Sequence, residues 1–77
     1  IFVQQLKTNK MRNFEVILNN NFAFPAYTIE ISTPSKAVKI AVKEAKANRN
    51  DNVTIIEVNL NGFALDNGFN SGTIKIN

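Results

Sequence analysis

Residues 32–49 read Ser-Thr-Pro-Ser-Lys-Ala-Val-Lys-Ile-Ala-Val-Lys-Glu-Ala-Lys-Ala-Asn-Arg. A hydroxyl at Ser32 or Thr33 is positioned to accept from an orphan N–H of a first helical turn. Pro34 suits the first helical position, where its missing N–H has no helical partner. The residues that follow are good helix formers without Gly or Pro, and Asn48-Arg49-Asn50-Asp51-Asn52 closes the segment with turn formers. The spacing predicts a helix from Thr33 to about Arg49. At about 100° per residue, Ala37, Val38, Ala41, Val42 and Ala45 form one stripe with Ile40 on its flank. Lys36, Lys39, Lys43 and Lys46 fall within about 80° of each other on the opposite side. Small residues in the apolar stripe let such a helix lie close to a sheet.

The flanking segments supply that sheet. Phe14, Val16 and Leu18 alternate with Glu15 and Ile17, and Tyr27, Ile29 and Ile31 alternate with Thr28 and Glu30. Both read as strands with one buried face, joined as a hairpin through the turn-rich residues 19–26. Val53 to Leu60 reads as a third strand, apolar at both parities, and is therefore expected to be central or to face a second layer. Asn61-Gly62 and Asp66-Asn67-Gly68 are turn signals. Phe63 and Leu65 offer a short extended piece, and Thr73–Ile76 reads as a fourth strand. Ile1–Leu6 starts either a strand or a helix. The fold class is α+β: a two-layer sandwich of order β-β-α-β with a short C-terminal strand, the helix on one face. Glu15, Glu30 and Glu57 are expected on the other face. That would leave a basic helix side and an acidic sheet side.

The chain has 77 residues and a net charge of +3, enough for one domain with a thin core. Met11 is a candidate natural start, which sets residues 1–10 apart as a leader or flexible segment before a single domain over residues 11–77. No run of about 18 apolar residues occurs, so no membrane span is expected. The thirteen Asn residues, with seven Lys among nine cations, read as low-GC coding bias, as in AT-rich bacteria, phages and plasmids, and not as a folding signal.

Composition removes several chemistries. The chain has no Cys and no His, so thiolate nucleophiles, disulfides, zinc ribbons and Ser/His/Asp sites cannot be built. None of Gly62, Gly68 and Gly72 begins a helix to cradle a phosphate. Asp66-Asn67-Gly68-Phe69-Asn70 resembles part of a calcium loop but lacks its closing acid and reads as a turn. Glu15 and Glu30 are candidate cross-strand neighbours on an open surface that offers no pocket to raise a carboxyl pKa. No enzyme activity, cofactor or metal is expected.

Two sets of residues remain as candidate contacts. Lys36, Lys39, Lys43 and Lys46, with Arg49 beside them, form a footprint for phosphates or an acidic partner. Phe22, Phe24, Phe63 and Phe69 lie in irregular segments and are candidate aromatic anchors if exposed together. The expected function is a non-enzymatic protein-interaction module: an inhibitor, adaptor or assembly subunit, of a phage or other mobile element, in the host cytoplasm or the virion. Its partner would be another protein or a second copy, not a membrane or a small-molecule substrate. The alternative is a nucleic-acid accessory protein contacting phosphates through the helix.

Overall fold

The computed structural model describes residues 11–76. The readings made for residues 1–10, as a leader and as the start of a strand or helix, lie outside the described residues. Five elements follow in order: β1 (Arg12–Leu18), β2 (Tyr27–Ile31), α1 (Pro34–Ala47), β3 (Asn52–Val58) and β4 (Ile74–Lys75). The strands form one antiparallel sheet of order β2-β1-β3-β4. Because β1 runs antiparallel to both neighbours, β2 and β3 are parallel, and α1 carries the chain over β1 between them. The fold is the α+β sandwich that the alternation predicts.

The hairpin begins in a turn that asparagine makes affordable. Asn19 and Asn20 have φ of 52° and 59°, and the Asn21 N–H donates to Leu18 O at 3.0 Å. Two consecutive left-handed residues match the twist of the strands they join, and Asn tolerates that region better than most residues. The Asn19 side chain also accepts from the Asp51 N–H at 2.8 Å, tying this turn to the approach to β3. Asn59 Oδ1 accepts two backbone N–H groups and Asn70 Oδ1 accepts one. Several asparagines therefore do specify turns, which corrects the expectation that their abundance is only coding bias.

The helix occupies its expected place with slightly tighter bounds. Thr33 is the N-cap, but its hydroxyl makes no capping bond, so the start rests on Pro34 and the backbone, contrary to the expected hydroxyl cap. At the other end Asn50 N–H donates to Ala45 O at 2.9 Å and Arg49 N–H to Lys46 O at 3.1 Å. This pair of bonds is a Schellman closure, with Arg49 in the left-handed position at φ 59°. Ala37, Ala41 and Ala45 are fully buried against Phe14, Val16, Val53 and Ile55. Methyl side chains at one position per turn bring the helix axis down onto the sheet. Val38 and Val42 flank that line and are half-buried, while Ile40 is exposed.

Register assigns the faces. Phe14 pairs with Glu57, Val16 with Ile55 and Leu18 with Val53, which puts Glu57 on the helix side. Glu57 therefore does not join Glu15 and Glu30 on the outer face, as expected; β3 is apolar at both parities, so only pairing could assign its sides. The outer face carries Ile17, Thr54 and Val58, all buried, together with Ile56. Its acidic character is limited to Glu15 and Glu30, which sit diagonally: Glu15 opposes Thr28 and Glu30 opposes Asn13.

Beyond Val58 the chain reverses and returns along β3 irregularly. Ala64 bridges Val58 and Asn70 bridges Ile56 before β4 pairs with Asn52 and Val53. Glu57 N–H donates to Phe69 O at 2.8 Å and Glu57 O accepts from Leu65 N–H at 3.1 Å. Residues 66–68 are thus looped out opposite a single β3 residue. A Cβ on Gly68 would fall 2.8 Å from Leu65 Cβ and 3.1 Å from Glu57 Cβ, so any larger residue there forces the loop or its neighbours to shift.

Candidate interaction surfaces

The lysine face is solvated. Lys36, Lys39, Lys43 and Lys46 are exposed, opposite the alanine line that faces the sheet, and Arg49 is exposed just past the helix. Among the described residues none of the five joins an ion pair. Lys46, in the last turn, complements the negative end of the helix dipole. On one flank Val38 and Val42 lie beside Lys39, Lys43 and Lys46 in an open, shallow depression on the helix surface. Lysine stems can cover such apolar ground while their ammonium groups stay in water. The opposite flank faces β2: there burial, and then the neighbouring Glu44 carboxylate, push the Tyr27 hydroxyl pKa upward. That hydroxyl has no hydrogen-bond partner among the described residues.

A charged cluster that the sequence pattern does not reveal closes the helix-side core beyond Phe14. Arg12 Nε donates to Glu57 Oε2 and Nη2 to Oε1, both at 2.8 Å, a two-pronged fit of guanidinium to carboxylate. Phe69 N–H donates to Glu57 Oε1 at 3.0 Å. The Arg12 guanidinium lies 5.6 Å from the Phe14 ring centroid, within range for a cation–π contact. These donors hold the Glu57 carboxyl well below its usual range, to about 2, against the opposing effect of burial. Arg12 is correspondingly pushed up by Glu57. Both Glu57 carboxylate oxygens are engaged, so the cluster reads as a structural lock.

The four candidate anchors separate. Phe69 meets Phe14 edge-on, with ring centroids 6.3 Å apart, and belongs to the packed core. Phe22 and Phe24 are exposed together in the β1–β2 connection. Phe63 is exposed at the opposite end of the sheet, about 20 Å away at roughly 3.4 Å per strand residue.

Phe63 there has a companion in Leu60, read from sequence as the end of the third strand. Leu60 is 93% exposed and Phe63 69%. The turn that carries them is closed from within. Asn59 N–H donates to Phe63 O at 2.9 Å and Gly62 N–H to Asn59 O at 3.0 Å. Asn59 Oδ1 accepts from the N–H groups of Asn61 and Phe63 at 2.8 and 3.1 Å. Gly62 takes φ 86°, a conformation disfavoured for residues with a Cβ. A leucine between two asparagines and before a glycine was the available signal: Asn59-Leu60-Asn61-Gly62 reads as a turn apex.

Among the described residues no group of acids could hold a metal ion, and no helix is long and apolar enough to cross a membrane. No protein-family model, curated protein or solved structure matches the chain.

Proposed function

We propose that the chain is a non-enzymatic protein-interaction module that docks through the Asn59–Phe63 turn. One observation carries this reading: Leu60 and Phe63 project into solvent from a backbone fixed by four internal hydrogen bonds. Exposed large apolar side chains on an ordered support cost little further entropy on binding, and aromatic anchors dominate interface energies. Scattered surface hydrophobics are ordinary, but two on one five-residue turn make a local patch. The absence of cysteine fits a reducing, cytoplasmic setting.

A photoprobe placed at position 60 tests the reading in lysate of the source cells. A nuclease-resistant protein adduct is expected. Excess unlabelled wild type should suppress it, and excess Leu60→Ser/Phe63→Ser protein should not. Adducts equally suppressed by both competitors, or none at all, would defeat the proposal. The four exposed lysines, outside any ion pair among the described residues, support a second reading, phosphate contact with nucleic acid. Nuclease sensitivity of the partner would favour it.

A further inference from the structure

Strand β2 is the regular edge of the sheet. One side pairs with β1 from Tyr27 to Ile31, and among the described residues its other side pairs with nothing. The far edge differs, since β4 has two residues and the chain before it is looped. Natural edges are usually blunted by Pro, Lys or a bulge. Tyr27-Thr-Ile-Glu-Ile31 has neither Pro nor Lys and carries a single charge, Glu30, and most of its residues favour strands. Beside the edge lies an apolar shoulder. Tyr27, Ile29 and Ile31 are half-buried toward the helix, and Ile40, one turn before Glu44 on the same flank of α1, is 41% exposed.

From this edge we infer that two copies of the chain pair antiparallel through β2, centred on Ile29. The inference rests on the protein-interaction reading and names a partner for a second surface. Symmetry limits the registers. A two-fold axis normal to the sheet keeps both helices on one side, so paired residues must share a face and a residue must lie on the axis. With Glu30 on the axis, two glutamates would oppose each other directly, which is unfavourable. With Thr28 on the axis, Ile31 reaches past the end of the partner strand. With Ile29 on the axis all five residues pair, Glu30 meets Thr28 of the other copy, and Tyr27 meets Ile31. Aromatic and β-branched cross-strand pairs of this kind are favourable. The segments of β1 beneath the two helices would then be three strand spacings apart, roughly 14 Å. The gap between the helices is the space that Tyr27, Ile29, Ile31 and Ile40 line from each side.

Thr28 is exposed on the outer face, so its replacement leaves the core intact while changing what Glu30 of the other copy meets. Sedimentation equilibrium of the chain is expected to show a monomer–dimer equilibrium. Thr28→Glu should weaken it about fivefold and Thr28→Lys should tighten it by a similar factor, both effects shrinking in high salt. The chain has no native cysteine. Mixed Thr28→Cys and Glu30→Cys proteins should therefore form a disulfide-linked heterodimer more readily than either protein forms a homodimer. A monomer up to about 1 mM would overturn the inference, as would a dimer indifferent to the charge at position 28. Loss of the dimer in Leu60→Ser/Phe63→Ser would also overturn it, while leaving the interaction reading standing through the turn. Failure of the photoprobe at position 60 alone would remove the turn and leave the β2 pairing.

Discussion

Replacing Glu57 with Gln should remove a pH-dependent part of the stability of this fold. Glu57 is 6% exposed, and its carboxylate accepts two hydrogen bonds from Arg12 and one from the Phe69 backbone. Its pKa moves from an ordinary 4.5 to about 2, equivalent to about 3 kcal/mol at 1.36 kcal/mol per unit. The Arg12 side chain is 39% exposed, so solvent screens that end of the pair, and about 2 kcal/mol is the magnitude to expect. The folded pKa lies below the unfolded one. The contribution is therefore complete above the unfolded value near 4.5 and disappears as pH falls toward 2. Urea unfolding at a series of pH values measures it. At pH 7 Glu57→Gln should be less stable than wild type by about 2 kcal/mol, and the difference should narrow steadily below pH 5. A difference that stays constant from pH 7 to about 2.5 would refute the assignment of Glu57 as an ionised, Arg12-bound group.

Three further outcomes follow from the packing and the charged face. Ala41→Lys should destabilise by about 3 kcal/mol or more by burying an unpaired charge, whereas Lys39→Ala should change stability by less than about 0.5 kcal/mol; equal effects in chemical denaturation would invert the helix faces. Gly68→Ala should cost about 1–3 kcal/mol through overpacking, visible as a lower Tm with the far-ultraviolet spectrum of the native fold retained. If the lysine face binds duplex DNA, the log-log salt slope should be roughly −3 to −4, at about 0.9 per neutralised phosphate. Replacing Lys36, Lys39, Lys43 and Lys46 with Gln should then abolish binding without unfolding, and retained binding would exclude that face.

The architecture was legible because its main signals are periodic. Alanines at 37, 41 and 45 and alternation at Phe14–Leu18 and Tyr27–Ile31 each select one geometry and one buried face. β3 lacks that asymmetry. With apolar residues at both parities, the side taken by Glu57 depends on pairing with Phe14 and on the distant Arg12, neither of which periodicity reports. The irregular return after Val58 hid the rest. Phe63 and Phe69 stand in similar Asn- and Gly-rich surroundings, yet one is presented to solvent and the other packs on Phe14. What separates them is the tertiary path of the loop. By parity with Ile56 and Val58, Leu60 reads as the continuation of a strand, although Asn59 and Asn61 enclose it as a turn apex.

The passage of α1 over β1 has a consequence for the order in which the molecule can form. β1 is synthesised before its second neighbour exists, and its charged lock spans 45 residues of chain, from Arg12 to Glu57. Until β3 arrives, the β1–β2 hairpin has no completed face on which the alanine line of α1 can rest, and an isolated helix of this length is marginal in water. Neither half therefore has a stable resting point without the other. Folding is expected to be a single cooperative event limited by closure of this long loop, with hydrogen-exchange protection in β1, α1 and β3 rising together.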